Sequence, residues 1–297
     1  MRLHPLHPAR WVLDRLTTTG WQIDDLLSFT RSSTLVLARR SGTAPVVIKA
    51  GFGSNHVLSA LPETERPAAY GFYWYQQMSA AERSLARSDF RHERDLAARA
   101  TGSRHIVPLL ETGDDEHFDW YSIPHYPNRN LRLLTTAPGH STAQAITAEL
   151  AVLADVAAGL SELHQRGIVH RDLYQENILI DGRRGLVTDL GAARLIDTPR
   201  GPRRRGPEIH WPPEYSIDYA TAGAAADVFS LAVLTYRVLF GDIPRLRGPV
   251  RSDSAPAKLT AAVMAGLAQH PADRPDIAQM HDALTAALPA AARQPTP

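Results

Sequence analysis

The apolar positions between residues 21 and 50 fall in short runs of strand length. Two of these runs, 35–38 and 46–48, flank a polar stretch that includes Ser41, Gly42 and Thr43. Short apolar runs on either side of a glycine-containing turn are typical of a β-hairpin. The pattern therefore predicts a small, mostly β region in this part of the chain.

Farther along the chain the apolar positions take a helical spacing. Residues 142–165 carry Ala and Leu at the period of a helix, and residues 228–240 form a second strongly apolar stretch. Glu149, Asp155 and Arg237 interrupt these stretches, so we expect neither to span a membrane. The pattern predicts a larger, helical region after the β region.

Composition narrows the possible functions. The chain has 297 residues, enough for about two folded regions, and 32 basic against 31 acidic residues give it a net charge of +1. This charge gives no reason to expect nucleic acid or an anionic membrane as partner. The absence of cysteine excludes disulfides, thiol catalysis and cysteine metal sites. The first residues contain no apolar stretch of signal-peptide length, and we expect a soluble, cytoplasmic protein.

The candidate chemistry lies between residues 170 and 191. The chain reads HRDLYQENILI from His170 and VTDLG from Val187, which places Asp172, Asn177 and Asp189 close together in sequence. Phosphoryl transfer needs one carboxylate to orient the attacking hydroxyl, and an amide oxygen and a second carboxylate to hold Mg²⁺ against the nucleotide phosphates. The three side chains predict such a site.

This stretch resembles the catalytic and metal-binding loops of the eukaryotic-like (Hanks-type) protein kinases, whose patterns are HRDxxxxN and DFG. Leu190 stands in place of the Phe and keeps an apolar residue there. Further similarities lie, in chain order, at Lys49, Glu93, Glu214, Asp227 and Arg274. The resemblance covers roughly residues 21–285 and identifies the chain as an atypical, bacterial-looking member of the family.

The resemblance implies an α+β, bilobal fold with a small β-rich N-lobe and a large helical C-lobe. We expect an N-terminal lead at 1–20, the N-lobe at 21–126 with an insertion at about 51–88, the C-lobe at 127–288 and a tail at 289–297. The lead contains proline and histidine, and we expect a flexible segment rather than a metal site.

The resemblance also implies an ATP site. Lys49 ends the run VVIK, is one of only two lysines in the chain, and is expected to bind the α- and β-phosphates with Glu93 as its ion-pair partner. By position, residues 124–127 are the hinge, where the carbonyl of Pro124 and the N–H of Tyr126 would pair with adenine. Leu179 is expected on the floor of the adenine pocket.

The phosphate-covering loop departs from the family pattern GxGxxG. Ser28, Thr30 and Ser33 stand at the glycine positions, and residues 21–41 contain no glycine. Hydroxyl groups can donate to phosphate, but Cβ atoms hinder the approach of backbone amides. We expect weaker nucleotide affinity or an altered loop.

A second departure concerns the acceptor. Serine/threonine-specific members carry a Lys two residues after the catalytic Asp that contacts a Thr just before the APE motif, and here these positions are Tyr174 and Pro207. The tyrosine-specific pattern is absent as well. We expect transfer to Ser or Thr hydroxyls of a protein or peptide. A pseudokinase-type binding module, and a kinase of a small molecule or a dedicated precursor peptide, remain alternatives.

The resemblance predicts two anchors in the large lobe. Glu214 and Arg274 are expected to form a buried ion pair, and Asp227 is expected to accept backbone N–H groups of the catalytic loop.

Partners and regulation are predicted from two further segments. Residues 70–75 hold five aromatic residues, and one face of a helix there is expected to dock a partner. Arg203, Arg204 and Arg205 are expected to favour an acidic substrate. Thr198 is the only hydroxyl residue between Asp189 and Glu214, so we expect activity without phosphorylation of this segment.

Overall fold

The computed structural model describes residues 3, 7–30, 33–51, 62–64, 79–115, 118–127, 130–135, 143–200, 208–241, 243–244 and 256–289. The chain divides into two units. Unit 1 comprises residues 1–99 and 108–125, and unit 2 comprises residues 100–107 and 126–297. The aromatic segment 70–75 and the arginines at 203–205 lie outside the described residues.

Unit 1 is built on a five-stranded antiparallel sheet. Its strands are β1 (Gln22–Phe29), β2 (Ser33–Arg39), β3 (Val46–Gly51), β4 (Glu111–Asp114) and β5 (Asp119–Pro124). Their order in the sheet is β1-β2-β3-β5-β4, and the predicted hairpin is β2–β3.

The two faces of this sheet carry different side chains because successive residues of a strand point to opposite sides. Val36, Ile48 and Trp120 belong to an apolar cluster on one face. Lys49 and Tyr121, each adjacent in sequence to a member of that cluster, lie on the other face, where they contact Glu93. The sheet is therefore packed on both sides.

Helix α1 (Pro8–Thr18) covers the apolar face. The imidazole of His7 accepts a hydrogen bond from the N–H of Ala9 at 3.1 Å and caps the helix, and proline occupies its first position. Val12, Leu13 and Leu16 are buried against the sheet. The prediction of a flexible lead was wrong for residues 8–18, because their apolar side chains complete the core of unit 1.

Helix α2 (Ala80–Ala100) packs on the opposite face. It includes residues 80–88 of the predicted insertion. The ring of Phe90 stacks on Tyr121 with centroids 5.6 Å apart, and a Cβ at Gly51 would lie 2.3 Å from that ring. Glycine at position 51 is what allows the helix to approach β3 this closely.

Unit 2 is mostly helical. It contains α3 (Leu131–Thr135), α4 (Ala143–Gln165), α5 (Tyr215–Asp218), α6 (Ala224–Phe240), α7 (Ala257–Gly266) and α8 (Ile277–Ala287). Two small antiparallel pairs complete it: β6 (Ile168–Val169) with β9 (Arg194–Leu195), and β7 (Ile178–Asp181) with β8 (Arg184–Val187).

Helix α4 forms the centre of unit 2 and contacts α8, α6 and β8. By length and composition it could cross a membrane, but half of its most apolar window is buried inside the protein. Leu153, Leu160 and Leu163 are fully buried. This is the pattern of a core helix.

Helix α4 also carries a buried carboxyl group. Glu149 is 2% exposed, and its Oε1 is sealed from solvent and has no hydrogen-bond partner among the residues that the structure describes. Burial raises the pKa of Glu149 to about 7. Ionisation of this group therefore works against the folded state.

Replacing Leu16 tests the role of α1. Leu16→Ala should lower the free energy of unfolding by about 2–4 kcal/mol, because it leaves a cavity in the core of unit 1. The control is Leu85→Ala on α2, where Leu85 is 60% exposed, with an expected change of about 0.5 kcal/mol or less. Urea unfolding followed by tryptophan fluorescence provides the measurement. Equal effects of the two variants would contradict the packing of α1 on the sheet.

Glu149 should make stability depend on pH. Its pKa rises on folding, so the folded state binds the proton more tightly, and stability is lost as the pH rises from about 4.5 to about 7. Glu149→Gln should therefore stabilise the protein by about 1–3 kcal/mol at pH 8 and by little near pH 4.5. Thermal unfolding from pH 4.5 to pH 8 measures this, with Glu162→Gln on the same helix as control. A gain that does not change with pH would contradict the burial of an ionising Glu149.

Candidate active site

The catalytic loop follows β6, and one buried carboxylate accepts hydrogen bonds from its backbone. Asp227, fully buried on α6, accepts the N–H of His170 at 2.9 Å and the N–H of Arg171 at 2.7 Å. His164 adds a third contact at 2.8 Å. Burial alone would raise the pKa of Asp227, but these hydrogen bonds and charges outweigh it and lower that pKa. The predicted role of Asp227 as a backbone anchor is confirmed.

Asp227 stabilises an uncommon backbone conformation. Arg171 has a φ of 64°, in the left-handed region that side chains other than glycine rarely adopt. The anchored turn ends at Asp172, which is 7% exposed. The residue that carries the candidate catalytic carboxylate therefore comes directly after a strained and tightly held residue.

Asn177 lies close to Asp172 at the end of a short 3₁₀ turn, Gln175–Asn177. Its Nδ2 donates to the backbone oxygen of Asp172 at 2.8 Å and lies 3.4 Å from the carboxylate Oδ2. Because the amide nitrogen faces Asp172, the amide oxygen is the atom left to bind a cation. This is the oxygen that the sequence analysis assigns to the metal.

The loop that carries Asp189 is bonded to the catalytic loop. The N–H of Thr188 donates to the carbonyl of Asn177 at 3.1 Å, and a ring nitrogen of His170 lies 2.9 Å from the carbonyl of Thr188. Asp189 itself has a φ of 61° and accepts the N–H of Gly191 at 3.1 Å. The structure thereby brings the loops of Asp172, Asn177 and Asp189 together.

The oxygen atoms of Asn177 and Asp189 are hard ligands of the kind that Mg²⁺ prefers. Among the residues that the structure describes, no group of three or more His, Asp or Glu side chains could hold a metal ion. A magnesium ion here would take its remaining ligands from nucleotide phosphates and water, as is usual for this ion. The donor set fits magnesium held together with a nucleotide.

In unit 1 the predicted ion pair between Lys49 and Glu93 is present and buried. Tyr121 donates its hydroxyl to the same carboxylate oxygen of Glu93 at 2.7 Å. Tyr121 lies opposite Lys49 in the register of β3 and β5. The sequence analysis missed Tyr121, because this contact depends on a strand register that no local pattern predicts.

A second carboxylate fixes α2 to β5. Asp119, 1% exposed, binds the guanidinium of Arg87 at 2.8 Å and that of Arg91 at 2.9 Å. Burial would raise the pKa of Asp119, but the hydrogen bonds and charges of the two arginines hold it below its ordinary value. The helix that carries Glu93 is thus attached to the sheet at two successive points on one face of β5.

The loop between β1 and β2 is closed by its own polar groups. The N–H of Thr30 donates to the carbonyl of Ser33 at 2.9 Å, and the N–H of Ser33 donates to the Thr30 hydroxyl at 3.2 Å. Ser28 lies on β1, and the turn residues 31 and 32 lie outside the described part of the chain. Phosphate binding by Ser28, Thr30 and Ser33 stays a prediction.

The adenine contacts also stay predictions. Pro124 ends β5 opposite Val46, and the division into units falls between residues 125 and 126. Burial raises the pKa of the Tyr126 hydroxyl to about 12. Leu179 lies on β7, where it forms an isolated antiparallel bridge with Asn130.

The segment after Asp189 is anchored at its far end by Glu214. Both carboxylate oxygens of Glu214 accept from the guanidinium of Arg274, at 2.7 and 2.8 Å. The Arg274 side chain is fully buried. The predicted ion pair is confirmed, and its two parallel bonds fix the orientation of both side chains.

Arginine side chains hold the near end of this segment through backbone carbonyls. Arg171 is 2% exposed and donates to the carbonyls of Ala192, Arg200 and Tyr219, at 2.7 to 3.1 Å. Its guanidinium also lies over the Tyr219 ring, 4.4 Å from the centroid. The guanidinium of Arg171 is therefore engaged by backbone carbonyls and by an aromatic ring.

Arg194 plays a similar part, which the sequence analysis missed. It is 3% exposed and donates to five backbone carbonyls, those of Leu195, Ile196, Thr198, Thr221 and Ala222. Because the acceptors in these five bonds are backbone atoms, the bonds leave no charge pattern in the sequence.

The comparisons with known proteins agree with this geometry. The family model described as the protein kinase domain matches residues 63–276. That match begins after Lys49, so the assignment of Lys49 rests on its contact with Glu93 within unit 1.

Three relatives illustrate the similarity. The serine/threonine-protein kinase PkaB of Streptomyces coelicolor is 41% identical over 33% of this chain and 26% of its own length. Pkn1 of Myxococcus xanthus, also named a serine/threonine-protein kinase, is 30% identical over 66% of this chain and 32% of its own length. PknL of Mycobacterium tuberculosis, with the same designation, is 30% identical over 62% of this chain and 50% of its own length.

The chain thus spans at most half the length of these three relatives. The family model nevertheless covers most of the chain, including the catalytic loop, Asp189 and the Glu214–Arg274 pair. With a β-rich unit 1, a helical unit 2 and the loops of Asp172, Asn177 and Asp189 bonded together, the chain belongs to the protein kinase family.

Proposed function

We propose that this protein is a Mg²⁺-dependent kinase that transfers the γ-phosphoryl group of ATP to Ser or Thr hydroxyls of a protein or peptide. The observation that carries the proposal is the hydrogen-bonded arrangement of Asp172, Asn177 and the loop of Asp189. Serine/threonine-protein kinase is also the designation of all three relatives described above.

Each side chain has a distinct role in this proposal. Asp172 accepts a hydrogen bond from the acceptor hydroxyl and directs its oxygen towards phosphorus. Lys49 binds the α- and β-phosphates, and the Glu93 carboxylate orients its ammonium group. Asn177 and Asp189 would hold Mg²⁺, which when bound neutralises charge on the phosphates. Catalysis of this kind consists of positioning and charge stabilisation, and the bonds within the site serve both.

The alternatives are less well supported. Kinases of small molecules of the aminoglycoside type share the catalytic loop but lack a segment closed by Glu, whereas here Glu214 is bonded to Arg274. A pseudokinase is favoured only by the β1–β2 loop, in which Thr30 and Ser33 bond to each other. Incubation with Mg²⁺ and labelled ATP, with and without added proteins, separates these alternatives by which molecule becomes labelled.

Finer properties of the partner rest on sequence. We propose an acidic substrate attracted by Arg203, Arg204 and Arg205, and partner docking at residues 70–75. Affinity that does not change with salt or with alanine at the three arginines would contradict the first proposal. An unchanged set of bound proteins after Phe72→Ser would contradict the second.

A cytoplasmic location, which cell fractionation tests, fits a protein that uses ATP.

We also propose that activity needs no phosphate on the segment between Asp189 and Glu214. In many family members such a phosphate binds the arginine beside the catalytic aspartate. Here that arginine, Arg171, already donates to three backbone carbonyls. These bonds order the near end of the segment without a phosphate.

Substitutions at the two lysines test the activity. Lys49→Met should reduce phosphotransfer by about a thousandfold, and so should Asp172→Asn, because each removes a group that stabilises the transition state. Lys258→Met is the matched control at the other lysine, which is exposed on α7. Transfer of labelled phosphate measures the rates, and thermal unfolding checks that the variants fold. Unchanged turnover in Lys49→Met and Asp172→Asn would rule out the proposed function.

Replacing Thr198 tests the regulation. Thr198→Ala should keep its activity within about twofold of the parent protein, because no functional contact of the hydroxyl is lost. Phosphatase treatment before the assay should likewise have no effect. An inactive Thr198→Ala, with activity restored by Thr198→Glu, would show that the segment needs a negative charge.

A further inference from the structure

The catalytic loop departs from the family pattern at a position that usually contacts the segment before Glu214. Tyr174 and Pro207 occupy the two positions where serine/threonine-specific relatives place a Lys–Thr contact between the catalytic loop and the segment before Glu214. The contacts that the structure describes between this loop and the residues around Glu214 therefore bear on the orientation of the Asp172 carboxylate.

Such a contact is present at Tyr215, the first residue of α5. Its hydroxyl donates to the backbone carbonyl of Arg171 at 2.9 Å. Burial raises the pKa of Tyr215 well above its ordinary value, so the hydroxyl keeps the proton that this bond requires. Tyr215 directly follows Glu214, which is fixed by Arg274. The bond therefore joins the anchored end of the segment to the residue before Asp172.

The accepting carbonyl belongs to the peptide group that leads into Asp172. The N–H at the other end of this peptide, that of Asp172, lies 3.2 Å from Nδ1 of His170. A peptide group is planar, so holding its oxygen and its N–H fixes the orientation of the whole plane. That plane fixes the N–Cα bond of Asp172 and so restricts where its side chain can lie.

The tyrosine ring is itself held in place. It packs edge-on against the Tyr219 ring, with centroids 4.7 Å apart. The Trp211 ring is a second neighbour, with its centroid 6.3 Å from that of Tyr215. Tyr219 in turn supports the guanidinium of Arg171. The hydroxyl of Tyr215 thus has little freedom to leave the carbonyl.

We propose that Tyr215 is a positioning residue for the phosphotransfer reaction. Through the carbonyl of Arg171 it orients Asp172. The proposal rests on the kinase activity proposed above, and it makes Tyr215 important for the chemical step rather than for nucleotide binding.

The test compares Tyr215→Phe with Tyr236→Phe. The first variant removes one hydroxyl and keeps the ring, and the second removes a hydroxyl that makes no hydrogen bond among the described residues. In Tyr215→Phe we expect kcat to fall about tenfold or more, with the KM for ATP within about twofold, the loss expected for one hydrogen bond that orients the catalytic group. Tyr236→Phe should leave both constants unchanged.

Hydrogen exchange gives a readout that does not require activity. Backbone amides of residues 170–177 should exchange faster in Tyr215→Phe than in the parent protein, and not in Tyr236→Phe. Tyr219→Leu, which removes the ring supporting both Tyr215 and Arg171, should shift kcat and exchange in the same direction. It decides the matter if Tyr215→Phe does not fold.

Two results would overturn the proposal: unchanged kcat and exchange in Tyr215→Phe, or an equal fall of kcat in Tyr236→Phe. A fall in stability with kcat and exchange unchanged would also overturn it, since that is a purely structural role. If the parent protein transfers no phosphate to any acceptor, the proposed function fails, and the exchange measurement alone decides whether Tyr215 orders the loop.

Discussion

The buried carboxylate of Asp227 is the contact on which the arrangement of the active site depends. It accepts two consecutive backbone N–H groups from His170 and Arg171, and it is the reason that Arg171 can hold a positive φ. An ionised group away from water is costly unless its hydrogen bonds are satisfied, and here the backbone itself satisfies them. The buried carboxylate therefore stabilises the strained turn, and the N–H groups of the turn stabilise the buried charge.

From this anchor the contacts extend in two directions within unit 2. One runs through Asn177 and Thr188 to the loop of Asp189, and the other runs through Arg171 to the segment that ends at Glu214. Unit 1 has its own equivalent in Glu93, whose carboxylate meets both Lys49 and Tyr121. In each unit a buried carboxylate accepts several hydrogen bonds and thereby fixes the residues that the proposed reaction uses.

The sequence was most informative where function depends on residues close together in the chain. Asp172, Asn177 and Asp189 could be found because 18 consecutive positions contain all three, and Glu214 and Arg274 because a related pattern marks them. The contacts of β5 could not be found in this way. Asp119 and Tyr121 meet α2 only because β5 pairs with β3 in one particular register, and many registers are compatible with the same strand sequence.

Helix α1 was missed for a different reason. Val12, Leu13 and Leu16 have helical spacing, but eleven residues are too few for a helix to be stable by itself. Its stability comes from a sheet face whose apolar residues are distant in sequence. The local sequence contains the helical spacing, but it does not show the sheet surface that makes the helix stable.

The arginines that hold the segment after Asp189 have an unusual relation to sequence change. Arg171 and Arg194 bond to carbonyl oxygens, which every residue type possesses, so the residues that supply the acceptors can change freely as long as the backbone keeps its path. In each contact only the donor is a side chain, and the acceptor is a backbone atom. Among related sequences the bonds to carbonyl oxygens would leave no paired changes, and methods that infer proximity from such changes would pass over the bonds that shape this part of the site.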